Sequence, residues 1–205
     1  MKFPKEFVWG AASSAYQIEG HSTEKGGGVC IWDTFCQTPG NIYNDDNGDV
    51  ACDAYHRFAE DIRLLKETGA KAYRFSTSWA ILDPNADGHW NEDGIRYYDR
   101  VVDECLKQGI TPWITLYHWE LPQVAQDRGG WQNRRTAEAF GRFAGMMAAH
   151  FRGRVKHYFT LNEPQCTVGL GHDACIHAPG VKLDRAGCFG VLVNQLLAHG
   201  IAMKT

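Results

Sequence analysis

A glutamate stands beside a carboxamide and directly before a proline at Asn162-Glu163-Pro164, after the run His157-Tyr158-Phe159-Thr160-Leu161. Tyr-Phe-Thr-Leu is aromatic, β-branched and uncharged, the composition of a buried strand. Pro164 has no N–H to give to a ladder, so the strand ends before it. Glu163 is thereby placed at the C-terminal end of a strand, the end that carries the chemistry in a barrel of parallel strands. A carboxyl set in apolar walls keeps its proton to higher pH, which suits general-acid work. Glu163 is equally placed to cap a following helix, and these few residues leave both readings open.

The elements that must hold Glu163 follow from periodicity. A strand-like start at 7–12 precedes a helix at 53–68, with Phe58, Ile62 and Leu65 at helical spacing and Gly69 as its stop. A strand at 71–79 leads to a helix at 91–108, which shows Ile95, Tyr98, Val102 and Cys105 on one face and stops at Gly109. A strand at 111–119, a helix at 134–151, a strand at 155–161 and a helix from about 187 onward complete the pattern. Four β-α repeats point to parallel strands covered by helices. An open doubly wound sheet would carry a glycine-rich turn after its first strand. Here that turn is Ala11-Ala12-Ser13-Ser14-Ala15-Tyr16-Gln17, and Gly26-Gly27-Gly28 opens no helix. The α/β class of (β/α)8 barrel type is therefore expected.

The chain has 205 residues, a net charge of −3 and no low-complexity stretch, which suits one domain and no nucleic-acid or membrane partner. No apolar run reaches the ~18 residues of a membrane span, and the N-terminus shows no signal-peptide core, so a cytoplasmic location is expected. Seven cysteines, odd in number and without CxxC spacing, argue for reduced thiols and against a disulfide framework or a zinc site. Cys166 and Cys175 read as small buried fillers. No cofactor and no metal are expected.

Each strand ends in polar or aromatic residues: Gln17 and Glu19 after the first, Arg74 and then Ser78-Trp79 on the second, His118-Trp119-Glu120 on the third, Asn162-Glu163 on the fourth. Amide, imidazole and indole N–H donors beside aromatic faces fit a polyhydroxylated ring, whose C–H face packs on the aromatic. Taken singly, His118 reads as a satisfied core histidine, Trp119 as plain core and Arg74 as half of a buried ion pair. Their joint occurrence at four strand ends favours a sugar site.

The chain resembles the family-1 glycoside hydrolases, the β-glucosidase group. Phe7-Val8-Trp9-Gly10-Ala11-Ala12-Ser13-Ser14-Ala15-Tyr16-Gln17-Ile18-Glu19-Gly20 matches that family's N-terminal signature. Tyr55-His56-Arg57-Phe58, Tyr73-Arg74-Phe75-Ser76, His118-Trp119-Glu120-Leu121-Pro122, Gly129-Gly130-Trp131, Thr160-Leu161-Asn162-Glu163-Pro164 and His177-Ala178-Pro179-Gly180 follow in the family's order. The resemblance implies that Glu163 is the general acid/base and that Asn162 bonds the sugar 2-hydroxyl. It implies that Gln17 and His118, with Trp119 beside them, hold the far hydroxyls, and that Arg74 keeps the nucleophile ionised. Trp119 and Ala15-Tyr16-Gln17 look like the group acting on unphosphorylated sugars rather than 6-phospho-β-glucosides. Two departures stand out: Ala80-Ile81 after Trp79, where the family usually has an arginine, and His172, where it more often has an aromatic.

A retaining glycosidase needs two carboxylates roughly 5–5.5 Å apart. The family's nucleophile lies in a Thr-Glu-Asn-Gly-like motif on a later strand, and no such motif occurs here. The chain therefore reads as the N-terminal half of a single (β/α)8 β-glycosidase domain over 1–205, carrying the acid/base and lacking the nucleophile. Its expected partners are a β-glycoside or oligosaccharide, and a second polypeptide or another copy completing the barrel. The alternatives are a non-catalytic carbohydrate-binding unit and an inert truncated remnant.

Overall fold

The computed structural model describes residues 2–22, 24 and 26–205. Strand β1 (Gly10–Ala12) leads into the short helix α1 (Ala15–Ile18), followed by α2 (Ile31–Cys36) and the long helix α3 (Ala54–Glu67). Then come β2 (Ala72–Ser76), α4 (Trp79–Leu82), α5 (Glu92–Lys107), β3 (Thr111–Tyr117), α6 (Gln123–Asp127) and α7 (Arg134–His150). Strand β4 (His157–Leu161), α8 (Pro164–Cys166), a π-helical turn (Thr167–Asp173) and α9 (Arg185–Ala202) complete the order. The four strands form one parallel sheet in the sequential order β1-β2-β3-β4. A doubly wound sheet reverses its strand order at a switch point. No reversal occurs across these four.

Register explains why the sheet has two different faces. Phe75 pairs with Ile114, and both are buried along with Leu116, two residues on. Alternation in the pleat turns Arg74, Ser76, Trp113 and Thr115 to the opposite side. The first face is covered by helices. Helix α5 packs on β3 and on α3, while α7 packs on α9. Trp79, Phe140 and Phe143 fill the core, with the Trp79 and Phe143 rings stacked at 5.4 Å.

Several expectations need correction. The strand predicted to run to Trp79 ends at Ser76, because the Ser78 side chain accepts from the Ile81 N–H and starts α4. Strand β4 is not fully buried: Phe159 is 41% exposed, since β4 pairs only with β3 among the described residues. Phe7, Val8 and Trp9 lie outside β1 and are exposed. The departure at Ala80-Ile81 has a packing cause. Both residues are buried, and a Cβ on Gly27 would come within 2.3 Å of Ile81 Cδ1. The glycine run is thus a close-packing device against α4 rather than a phosphate cradle.

Tyr98 on α5 joins two segments near the strand ends. Its hydroxyl donates to Glu19 Oε2 at 3.0 Å and accepts from the Ser78 N–H at 2.8 Å. Tyr98→Phe removes one hydrogen-bond partner from the buried Glu19 carboxylate and from the buried Ser78 N–H. It is expected to cost about 1–3 kcal/mol, read as a lower denaturant midpoint at unchanged m-value in the intact protein.

Candidate active site

The C-terminal ends of parallel strands must share one edge of the sheet, and backbone N–H donors hold the start of α1 and Asn162 there. The Ala15 N–H donates to Ser76 Oγ at 2.7 Å and the Ser13 N–H to the Arg74 carbonyl at 2.9 Å. These two bonds fasten the start of α1, and with it Gln17, to β2. The Asn162 N–H donates to the Tyr117 carbonyl at 2.9 Å, which sets Asn162 beside the end of β3.

Side chains then link three strands. Arg74 Nη1 donates to Thr115 Oγ1 at 3.1 Å and to Asn162 Oδ1 at 3.4 Å. With its oxygen turned to the guanidinium, Asn162 points Nδ2 at His118 Nε2, 3.2 Å away. A donor there requires an acceptor nitrogen, hence a neutral ring. His118 is held to that state: burial lowers its pKa to about 4, Arg74 adds to the lowering, and the Glu163 carboxylate opposes it. Among the described residues no carboxylate forms an ion pair with Arg74, so it is not the buried ion-pair half weighed above.

Trp119 stands beside His118, its indole already partnered. Its indole N–H donates to the Asn162 carbonyl at 2.9 Å. That donor is thus engaged within the protein. Gln17, His118 and Trp119 line one cavity of about 390 Å³. Trp32 and His177 line it too and were missed, their ring centroids 5.3 Å apart and His177 5.5 Å from Trp119. The tryptophan richness of the chain was the available signal, but Trp32 reaches the cavity only because α2 folds back against it.

Glu163 occupies the N-cap position of α8, with a left-handed φ of 44°, yet its side chain makes no capping bond. The helix-cap reading thus holds for position and fails for the side chain. Its carboxylate instead lies 3.6 Å from the Cys166 thiol, which donates to it. Glu163 is exposed and stands outside the lining of the cavity, so the apolar walls expected around it are not supplied by the described residues. Cys166 and Cys175 are only partly buried, against their reading as buried fillers. His172 does not face the cavity. It is buried, with Nδ1 2.9 Å from the Val181 carbonyl, and it braces that loop.

Because the unfolded His118 ring takes its proton near 6.5 and the folded ring only near about 4, its contribution to stability is complete above the first value and is lost as pH falls through the second. NMR titration of the intact protein should show that low value. Arg74→Met should raise it while leaving it below 6.5, since burial is the leading cause. An unchanged titration would remove Arg74 from this electrostatic role.

Comparison with known proteins shows the family. The chain matches the family model for glycosyl hydrolase family 1 over residues 1–205. It is 47% identical over 203 residues to a 1,4-beta-D-glucan glucohydrolase of Thermotoga neapolitana, covering 99% of this chain and 48% of that protein. It is 49% identical to beta-glucosidase A of Acetivibrio thermocellus, covering 98% and 45%. The solved family 1 β-glucosidase of Thermotoga maritima superposes with a TM-score of 0.96 at 46% identity, over 99% of this chain and 46% of that one. The same enzyme matches as well in complex with castanospermine and with deoxynojirimycin. The chain spans about half the length of the relatives it matches. With the family model covering every residue, this chain belongs to glycosyl hydrolase family 1.

Proposed function

We propose that residues 1–205 are the first four βα units of a single (β/α)8 catalytic domain, that of a retaining β-glycosidase acting on terminal β-linked glucosides. The observation that carries this reading is the Arg74–Asn162–His118 chain at the strand ends, with Glu163 next in sequence. Glu163 protonates the departing glycosidic oxygen and later takes a proton from the attacking water. Asn162, with its amide orientation fixed, bonds the hydroxyl next to the reacting carbon. Gln17 and His118 hold the more distant hydroxyls, and the Trp119 ring packs on the C–H face of the sugar.

The nucleophile is assigned to later strands of the barrel. Glu19 and Glu120 are buried, and neither lines the cavity shared by Gln17 and His118. Arg74, with no carboxylate ion pair among the described residues, remains as the cation that keeps a second carboxylate ionised. Among the described residues no lysine or arginine lines the cavity and Asp46 does, which favours an unphosphorylated sugar. Among the described residues no helix is long and apolar enough to cross a membrane.

The test is Glu163→Gln in the intact protein. Glucosides with poor leaving groups should lose about 10²–10⁴ in the glycosylation step, as expected for removal of a general acid. Activated aryl glucosides, which need little protonation, should still form the glycosyl-enzyme at near the parental rate. Equal losses on both classes would overturn the assignment of Glu163. The 205 residues alone should turn over neither class above background, because no second carboxylate completes the pair.

A further inference from the structure

Away from the strand ends, two imidazoles and two carboxylates meet between the loop after α1 and the first turn of α3. His21 Nδ1 lies 2.9 Å from Glu24 Oε1, and His56 Nε2 lies 3.2 Å from Glu24 Oε2. The other nitrogen of each ring faces Asp53: His21 Nε2 at 2.9 Å and His56 Nδ1 at 2.6 Å, both to Oδ1. One donor atom from each of His21, Glu24 and His56 falls within 4.8 Å of the others. We propose that His21, His56 and Glu24 form a binding site for a divalent transition-metal ion of the zinc type, with Asp53 orienting both imidazoles.

Three features separate this cluster from an ordinary pair of surface ion pairs. First, the division of nitrogens is ordered. Each ring turns one nitrogen to Glu24 and the other toward Asp53, and for His56 the Asp53 contact is a hydrogen bond, the carboxylate–histidine–metal arrangement that fixes tautomer and ring angle. Second, the spacing fits. Zinc–nitrogen and zinc–oxygen bonds of about 2.0–2.2 Å put tetrahedral ligands roughly 3.3 Å apart. The two imidazole–Glu24 distances, 2.9 and 3.2 Å, lie within a few tenths of an ångström below that value. Third, the ring centroids are 4.5 Å apart. Two imidazolium ions so close repel each other, whereas a single metal ion satisfies both rings and the Glu24 carboxylate together. His21 Nε2 is buried and, despite its short approach to Asp53, makes no well-directed hydrogen bond, so this ring is not already locked in a finished network.

Two nitrogens and one carboxylate suit Zn²⁺, Co²⁺, Ni²⁺ or Cu²⁺ better than Ca²⁺ or Mg²⁺, which take all-oxygen shells. His56 and Glu24 are half exposed, which leaves room for ion entry and a bound water. Both His21 and Asp53 hold left-handed backbone, with φ of 55° and 56°. The His21 N–H donates to the Asp49 carbonyl at 2.7 Å, and residues 46–48 and 51 wall the sugar cavity. A bound ion would therefore clamp the segment that forms one side of that cavity.

The intact protein, stripped with a chelator, would be titrated with Zn²⁺ by calorimetry and with Co²⁺ by visible absorption. One ion per chain should bind in the parent, with the strong absorption of low-coordinate Co²⁺ and a rise in Tm on adding Zn²⁺. His56→Ala and His21→Asn should each abolish that ion, asparagine being chosen because it tolerates the left-handed backbone. Asp53→Asn should weaken binding about 10–100-fold. Glu24→Gln, on the exposed loop, should lose the ion without change in the metal-free melt, which separates ligation from folding. Absence of binding in the parent, or equal binding in the parent and all histidine variants, would overturn the proposal.

Discussion

Three strand ends are joined by one short polar chain, Arg74 to Asn162 to His118, and the rest of the site is arranged around it. Arginine can only donate, so the Asn162 oxygen must face it and the amide nitrogen must face His118. That in turn requires the imidazole to accept, which fails if the ring is protonated. Burial and the nearby guanidinium both disfavour the imidazolium, so the electrostatics and the hydrogen-bond directions agree. Each group fixes the state of the next. Such a chain has sense only if β2, β3 and β4 are parallel and in register, as they are.

The backbone at these ends is turned out of its ordinary conformations. Trp119 after β3 and Glu163 after β4 both take positive φ, at 76° and 44°. Neither has the side chain that makes this conformation easy, and tertiary structure must hold them there. For Trp119 the restraint is visible, because its indole N–H is fastened to the Asn162 carbonyl. The third and fourth strand ends are thus locked to each other by main chain and side chain together. Under the proposed function, the flat face of this fixed ring is the part of tryptophan that a sugar's C–H surface would use.

The long helices were legible because their signals are local. Gly69 and Gly109 take φ of 86° and 68° just past α3 and α5, and the Asn91 and Asn133 side chains accept the N–H bonds that open α5 and α7. The polar strand ends were legible as well, being fixed by the same alternation. Helices of three to six residues were not. In α4 all four residues, Trp79 to Leu82, are buried, so the segment has no exposed face and no period to read. Trp32 escaped for a related reason: its place in the cavity is set by how α2 folds back, and no spacing within the chain encodes that.

The largest error, the expected burial of Glu163 and of β4, has a single cause that also links the exposed apolar surface. Phe159 on β4 and Phe189, Val193 and Leu196 on α9 are all exposed, and α9 packs on β4 and α7. Phe159 lies on the Thr115 side of the sheet and the three α9 residues on the helix layer, so large apolar side chains are exposed on both layers at this end of the sheet. The composition of β4 was read as that of a strand with neighbours on both sides, and among the described residues it has one on one side only. Under the barrel reading, a fifth strand beside β4 would remove Phe159 from water and place a wall next to Glu163 in the same step. On that reading the sequence pattern of β4 is that of an interior strand, and the exposure of the Glu163 carboxylate goes with the uncovered edge rather than with a misplaced residue.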